Sequence, residues 1–399
     1  MFESFNIHDF RWVWFSTFAS YMAFGMQALA RGWLVLRLSD DSPLALSVVM
    51  AAYILPMTFM SLIGGALADR IPKKHILYYS QIANTCTTAI LATLDLSGLI
   101  RFWQLIVLSI ISGSMDAVNL PSRTSIISDL VPGENLMNAI SLSNSSTSLT
   151  RTIGPALAGV LILFIETAGV FYFISGCYLL SVLCISRVKT VTKHQRQEPG
   201  SVLGDITSGL QYAAGDPIIR GLILFVLMPL FFGFSIQYLL PAWAREALDV
   251  QSQGLGALMT AIGAGSLAGS LILAALHNLK KRGLWLILIS LLWGGVIMLF
   301  SRSGSYAVAL PCLFFIGVMI STHTSLHMTL MQVYAGPDMR GRMMSLVMMS
   351  FGLTPLSTLP IGAVAEKIGT PNALGLSGIL LLGTTILFVL LYPAFRRID

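Results

Sequence analysis

The chain has 399 residues, of which 55% are hydrophobic and only 11% carry a charge. A soluble globular protein carries about a quarter charged residues, so this composition excludes an ordinary soluble domain. The formal net charge of +6 is typical of the Lys and Arg that membrane proteins collect in cytoplasmic loops. It is therefore not interpreted as a sign of nucleic-acid binding.

Twelve apolar runs follow one another, and each is long enough to cross a bilayer as a helix. Backbone groups in lipid must pair within their own segment, which favours helices, and the short alternating strands of a porin-like barrel are not found. The predicted spans are 11–36, 44–67, 75–97, 102–126, 136–163, 168–187, 217–240, 253–276, 284–301, 306–331, 342–365 and 371–393.

A polar segment with a Pro-Gly pair divides the spans into two groups of six. We predict an N-terminal half at 1–187, a cytoplasmic linker at 188–216 with an amphipathic piece near 201–213, and a C-terminal half at 217–399. The fold class is thus an all-α membrane protein with about twelve spans.

An internal repeat supports this division. An offset of 204 places Ser141-Leu142 on Ser345-Leu346 and Gly65 on Gly269, and it also maps the first six spans onto the last six. Two similar six-helix halves predict a transporter, whose substrate site lies between the halves near the membrane midplane.

The basic residues predict the orientation. With the N-terminus inside, 16 of the 24 Lys and Arg fall in inner segments, five fall in outer segments and three lie within spans. Cytoplasmic loops are the ones enriched in Lys and Arg, so both termini are predicted to be cytoplasmic.

The link between the second and third spans reads GGALADRIPKK, residues 64–74. It resembles the loop motif of the major facilitator superfamily, G-x-x-x-D-R/K-x-G-x-R/K-R/K, with Pro72 where the common form has Gly. The matching residues are Gly65, Asp69, Arg70, Lys73 and Lys74. The resemblance implies that Asp69 belongs to a cytoplasmic gate. For the two lysines, the alternative is that they only set the membrane topology.

The fifth span carries RTIGPALAG, residues 151–159. It resembles the helix-5 motif of proton antiporters in this superfamily, through Arg151, Gly154, Pro155 and Gly159. Proline removes a helical hydrogen bond, and glycine permits close helix contact. The segment therefore predicts tight helix packing that can rearrange. The alternative is an ordinary kinked span, for which the same residues would be expected.

Two further segments, 31–49 and 337–346, resemble the drug-exporter branch that contains enterobactin exporters and macrolide-efflux proteins. One feature departs from the commoner drug–proton antiporters. Those antiporters carry the pattern L-x-x-x-R-x-x-Q-G in span 4. When its Gly is aligned with Gly113, this chain has Ser109 at the position of the Arg and Ser112 at the position of the Gln. Proton coupling would therefore use other groups.

Ionisable residues inside spans are costly to bury, so each is a candidate functional residue. Asp116, past the midplane of span 4, is the first proton-coupling candidate, and the alternative is a structural pair with an Arg of a neighbouring span. Arg123 lies seven residues on, roughly 10 Å along the helix axis.

His323 and His327, one turn apart in span 10, are further proton-coupling candidates because imidazole titrates near neutral pH. Zinc binding lacks a third ligand, and two polar groups lining a wet cavity are the alternative.

Several other polar residues within spans are predicted to line the substrate cavity. Arginines in the interior would favour anionic groups on a substrate, while pairing with Asp95 or Glu166 is the alternative for Arg31 and Arg151. The cavity candidates are Gln27, Arg31, Arg123, Asn144 and Arg151.

An enzyme is not predicted. Ser377 lies in a G-x-S-G pattern like that of rhomboid proteases, but no His follows it on a later span, and no Walker A sequence is present.

We predict a monomeric exporter of the bacterial inner membrane for a small organic molecule such as a siderophore, a drug or an amphipathic anion. It would need no cofactor beyond the proton gradient. A facilitator, an importer or a non-transporting membrane scaffold remain the alternatives.

Overall fold

The computed structural model describes residues 3–68, 71–189, 202–276, 280–336 and 339–398. Every regular element in these ranges is helical, as the composition predicts. The α-helices are α1 (His8–Leu38), α2 (Pro43–Ala68), α3 (Lys73–Leu96), α4 (Phe102–Leu130), α5 (Gly133–Ser186), α6 (Val202–Gly215), α7 (Pro217–Met228), α8 (Ser235–Leu248), α9 (Ser252–Ala275), α10 (Arg282–Ser301), α11 (Tyr306–Tyr334), α12 (Arg340–Phe351), α13 (Pro355–Ile368) and α14 (Thr370–Leu391).

Breaks in the helices explain why fourteen helices make twelve spans. The 54 residues of α5 are two spans joined at Glu166, whose φ of 55° is not helical. A π-helical turn at Pro229–Gly233 joins α7 to α8 within one span, and a short break before Pro355 separates α12 from α13 within another. The remaining helix, α6, lies in the predicted linker, close to the expected amphipathic piece.

Length and hydropathy alone identify nine segments of the described chain as able to cross a membrane. The bent α5 counts once among them, although its length suffices for two spans. The helices α1 and α3 fall outside this set because charged and polar side chains lower their hydropathy. Large apolar side chains are exposed along many of the helices, for example Phe164 and Leu390, which is expected where lipid is the solvent.

Contacts between Cα atoms divide the chain into two compact units. Unit 1 contains residues 1–40, 52–199 and 251–260, and unit 2 contains residues 41–51, 200–250 and 261–399. The start of α2 is thus assigned to unit 2, and the start of α9 to unit 1. The predicted boundaries at 187 and 217 therefore remain a prediction.

Glycines permit close helix contacts inside unit 1. A Cβ on Gly154 would lie 3.1 Å from the Cα of Gly25, and a Cβ on Gly159 would lie 3.1 Å from the Cα of Gly256. The G-P-x-x-x-G segment of α5 therefore packs directly on the backbones of α1 and α9.

The repeat is visible in the packing of both units. In unit 1, a Cβ on Gly113 of α4 would lie 2.1 Å from a carbonyl oxygen of α2. In unit 2, Gly317 of α11 makes the corresponding approach to Ile262 of α9, also at 2.1 Å. Gly113 and Gly317 are separated by the offset of 204 found in the sequence, and in each unit they let the fourth and second spans of that half touch.

Candidate transport site

Asp116 lies partly buried on α4 within unit 1, and its carboxylate accepts hydrogen bonds from two other helices. The hydroxyl of Tyr53 on α2 donates to Oδ2 at 2.7 Å, and Nδ2 of Asn84 on α3 donates to Oδ1 at 2.9 Å. No cation lies within 4 Å of this carboxylate among the described residues. Asp116 is therefore held by neutral donors and is not part of a close ion pair.

Arg31 brings a buried positive charge from α1 to the same group. Its side chain is 5% exposed, its guanidinium lies over the ring of Tyr53 at 5.5 Å, and Nη2 is 3.5 Å from the hydroxyl of Ser112. Ser112 stands where the commoner antiporter pattern has Gln, and here its hydroxyl faces Arg31. The Nε atom of Arg31 has no hydrogen-bond partner in the described part of the chain.

Arg123 is held more firmly than Arg31. Its Nε donates to Asn119 at 3.1 Å, and Nη1 donates to the hydroxyl of Thr17 on α1 at 3.1 Å. Its guanidinium also lies 6.0 Å from the ring centre of Tyr21. The seven-residue spacing from Asp116 does not produce a close ion pair, because the side chain of Arg123 is directed to α1.

Gln27, a predicted cavity residue, is buried on α1 and accepts a hydrogen bond from the hydroxyl of Tyr178 at 3.0 Å. Two other predicted cavity residues, Asn144 and Arg151, are exposed on α5. The expected partner Asp95 contacts Arg37 and Thr167 instead of Arg31 or Arg151. The structure thus groups Gln27, Arg31 and Arg123 with Asp116 inside unit 1, and it separates Asn144 and Arg151 from them.

Sequence reasoning missed Tyr53, Asn84 and Tyr178. Each is polar and falls within a predicted span, which is the only signal that the sequence offers. Tyrosine and asparagine carry no charge at neutral pH, so a search for charged residues in apolar runs passes over them.

The histidine pair lies in unit 2, buried on α11. The two imidazole rings are stacked, with centroids 6.2 Å apart, and His323 also stacks on Phe225 and meets the edge of Trp293. Nε2 of His327 lies 2.9 Å from the carbonyl oxygen of Leu222, so it donates there. The surroundings of the pair are aromatic and aliphatic, and no described carboxylate shares a hydrogen bond with it.

The gate motif is only partly within the described residues. Asp69 and Arg70 lie outside them, and Gly65 falls within the helical bounds of α2. Nζ of Lys73 lies 2.5 Å from Oδ2 of Asp129, while Nζ of Lys74 donates to the carbonyl oxygen of Val188 at 2.6 Å. Both lysines thus join α3 to other parts of unit 1, in addition to any effect on topology.

Comparison with known proteins gives the family. Residues 1–397 match the family described as transmembrane secretion effector, so the chain belongs to this family of major facilitator transporters. The predictions of a major facilitator fold and of a transporter without enzymatic activity are thereby confirmed.

Three relatives are similar over nearly the whole chain. The staphyloferrin A transporter of Staphylococcus aureus (strain NCTC 8325 / PS 47) is 25% identical, with 94% of each chain covered. The multidrug efflux pump Tap of Mycolicibacterium fortuitum is 23% identical, covering 94% of this chain and 93% of the relative. Macrolide efflux protein A of Streptococcus pyogenes is 21% identical, covering 90% and 89%.

Solved structures show the same fold. The nucleoside transporter NupG superimposes with a TM-score of 0.76 at 12% identity, covering 98% of this chain and all of the other. A bacterial homologue of the human lysosomal transporter Spinster gives a TM-score of 0.73 at 12% identity, covering 99% and 96%. The family match makes the chain a multi-pass membrane transporter, and its bacterial relatives indicate the plasma membrane.

Proposed function

We propose that this protein exports a small organic molecule from the bacterial cytoplasm by alternating access, in exchange for protons, with Asp116 as the proton-binding group. Both termini are cytoplasmic in this proposal, the protein acts as a monomer, and the proton gradient replaces any cofactor. Relatives named as efflux pumps and as a siderophore transporter support the export of a drug-like or siderophore-like molecule.

The observation that carries the proposal is the environment of Asp116. A carboxylate that accepts one hydrogen bond at each oxygen and has no cation within 4 Å keeps the ability to take up a proton without first breaking a close ion pair. Its two donors come from α2 and α3. Gain of a proton therefore changes the contacts of α4 with two neighbouring helices at once, which is what a coupling group must do.

The histidine pair is the second candidate for proton coupling, and its surroundings favour it less. Protonation would place a positive charge among Phe225, Trp293 and His327, with no described carboxylate in hydrogen-bond contact to stabilise it. His327 already donates to a backbone carbonyl of α7. We therefore assign the pair a packing role in unit 2.

The test uses purified protein in liposomes with an imposed pH difference. The probes are staphyloferrin A, from the name of one relative, and erythromycin, a macrolide, the class that another relative's name gives. We expect uphill movement of at least one probe. Asp116→Asn should abolish uphill movement and leave the protein folded, while the exposed Glu134→Gln is the matched control that keeps it.

Other outcomes would change the proposal. Undiminished uphill transport by Asp116→Asn would remove the proton assignment. Movement that is only downhill in the unmodified protein would replace antiport by facilitated diffusion, and no movement of either probe would favour a membrane scaffold.

A further inference from the structure

The two ends of helix α2 are assigned to different units. The start of α2 and the residue before it contact α13 within unit 2, where the carboxylate of Glu366 accepts hydrogen bonds from the hydroxyl of Ser42 at 2.8 Å and from the backbone N–H of Leu44 at 3.3 Å. From residue 52 onward α2 is assigned to unit 1. The residues of α2 before and after position 52 therefore have different packing partners.

The helix is weakened at this point. Pro56 lies inside α2 and has no backbone N–H, so the carbonyl oxygen of Ala52 receives no helical hydrogen bond from it. Two residues on, the hydroxyl of Thr58 donates to the carbonyl oxygen of Ile54 at 2.9 Å. Such hydroxyl contacts often bend helices. Two independent features thus favour bending between residues 52 and 58.

The same turn of α2 is pressed against α4. A Cβ on Gly113 would lie 2.1 Å from the carbonyl oxygen of Tyr53, so only glycine allows this approach. Asp116 follows Gly113 by three residues, which places it on the same face of α4. The hydroxyl of Tyr53 reaches its carboxylate at 2.7 Å. The flexible turn and the proposed proton site are therefore joined by one side chain.

The chemistry of Asp116 determines what this contact does. When ionised, the carboxylate accepts from Tyr53 and from Nδ2 of Asn84. When protonated, it gains an O–H that needs an acceptor, and the buried Oδ1 of Asn84 has no partner in the described part of the chain. A carboxylic acid and an amide can share two hydrogen bonds. Protonation therefore strengthens the contact with Asn84 and weakens the contact with Tyr53, which changes from charge-assisted to neutral.

We propose that Tyr53 is a positioning residue that transmits the protonation of Asp116 to α2, so that the turn at residues 52–58 bends more readily when the proton is bound. This inference rests on the proposed role of Asp116. The other charged or titratable groups around the carboxylate are Arg31 on α1, Arg123 on α4 and Tyr178 on α5, and none of them donates a hydrogen bond to it among the described contacts.

The first test is the pH profile of uphill transport in Tyr53→Phe. The variant keeps the ring and loses the hydroxyl that stabilises the ionised carboxylate. The pH of half-maximal transport should therefore rise by about one unit or more. The matched control is Tyr172→Phe, which also loses a tyrosine hydroxyl that bonds to another helix, here to Thr93 of α3 and not to Asp116. Its profile should be that of the unmodified protein.

The second test needs no transported probe. Hydrogen exchange of the backbone amides of residues 50–60, corrected for the intrinsic pH dependence of exchange, should be faster at pH 5.5 than at pH 8 in the unmodified protein. The difference should disappear in Tyr53→Phe and in Asp116→Asn, and it should remain in Tyr172→Phe.

The inference is overturned if exchange in α2 does not depend on pH, or if the two tyrosine variants behave alike. The two proposals fail separately. Uphill transport by Asp116→Asn would refute the proton assignment itself, whereas a loss in Asp116→Asn with an unchanged profile in Tyr53→Phe would refute only the role of Tyr53.

Discussion

The contact between α4 and α2 gives a prediction whose size follows from the geometry. In Gly113→Ala, the new Cβ would lie 2.1 Å from the carbonyl oxygen and 2.9 Å from the carbonyl carbon of Tyr53. Non-bonded carbon atoms normally lie about 3.5–4.0 Å from their neighbours. Because the obstructing atoms belong to a helix backbone, a rotamer change cannot relieve the clash, and the two helices must separate by roughly 1 Å.

Overpacking of this kind costs about 1–3 kcal/mol in free energy of unfolding. For a unit of about 200 residues, this corresponds to a lower Tm by about 2–4 °C per kcal/mol. Separation of α2 from α4 would also stretch the 2.7 Å hydrogen bond from Tyr53 to Asp116. Gly113→Ala should therefore lower both thermal stability and proton-coupled transport.

The assay is thermal unfolding in detergent, followed by tryptophan fluorescence, with Gly176→Ala as the matched control. Gly176 is also helical and in unit 1, but no heavy atom lies within 4 Å of the position of a Cβ there. Alanine is the better helix former by up to about 1 kcal/mol, so this control should be unchanged or slightly more stable. If Gly113→Ala were as stable as Gly176→Ala, the close approach of α2 and α4 would be wrong.

Three further predictions concern single side chains. Arg37→Gln should lower the Tm by several degrees, because it leaves the buried carboxylate of Asp95, with its side chain 1% exposed, without its cation. An unchanged Tm would contradict this pairing. Arg123→Gln should impair folding or transport, because it removes the hydrogen bonds that the guanidinium donates to Thr17 and to Asn119. Normal expression and transport of this variant would show that these contacts are dispensable. His323→Phe should retain uphill transport in liposomes, since the ring packs among aromatic side chains, and loss of proton coupling in a folded variant would restore the histidine as a coupling group.

The positions of the spans could be predicted from the sequence because each apolar run is long enough to require the bilayer. The expected run at 306–331 becomes a helix at Tyr306–Tyr334, and the expected run at 371–393 becomes Thr370–Leu391. The amphipathic piece near 201–213 lies close to Val202–Gly215. Hydropathy is a local property, so no knowledge of the neighbours of each segment was needed.

The candidate site was predicted only in part. Asp116, Arg31 and Arg123 attract attention because a charge inside an apolar run is costly in any arrangement. Their partners did not, since Tyr53 is 63 residues from Asp116 in the chain and Asn84 is 32 residues away. Hydropathy and spacing along one helix predict which residues share a face, but they do not predict which neighbouring helix that face meets.

The sequence by itself determined the twelve apolar segments, the charge imbalance of the loops and the presence of one acid within span 4. Only the tertiary structure decided that Asp116 faces two neutral donors and that Arg123 is directed to α1. It also decided that Tyr53, three residues before Pro56 on α2, donates to the carboxylate of Asp116. The physical reason is that burial in lipid acts on each segment separately, whereas hydrogen bonds between helices depend on the rotation of each helix and on the glycines that allow close approach.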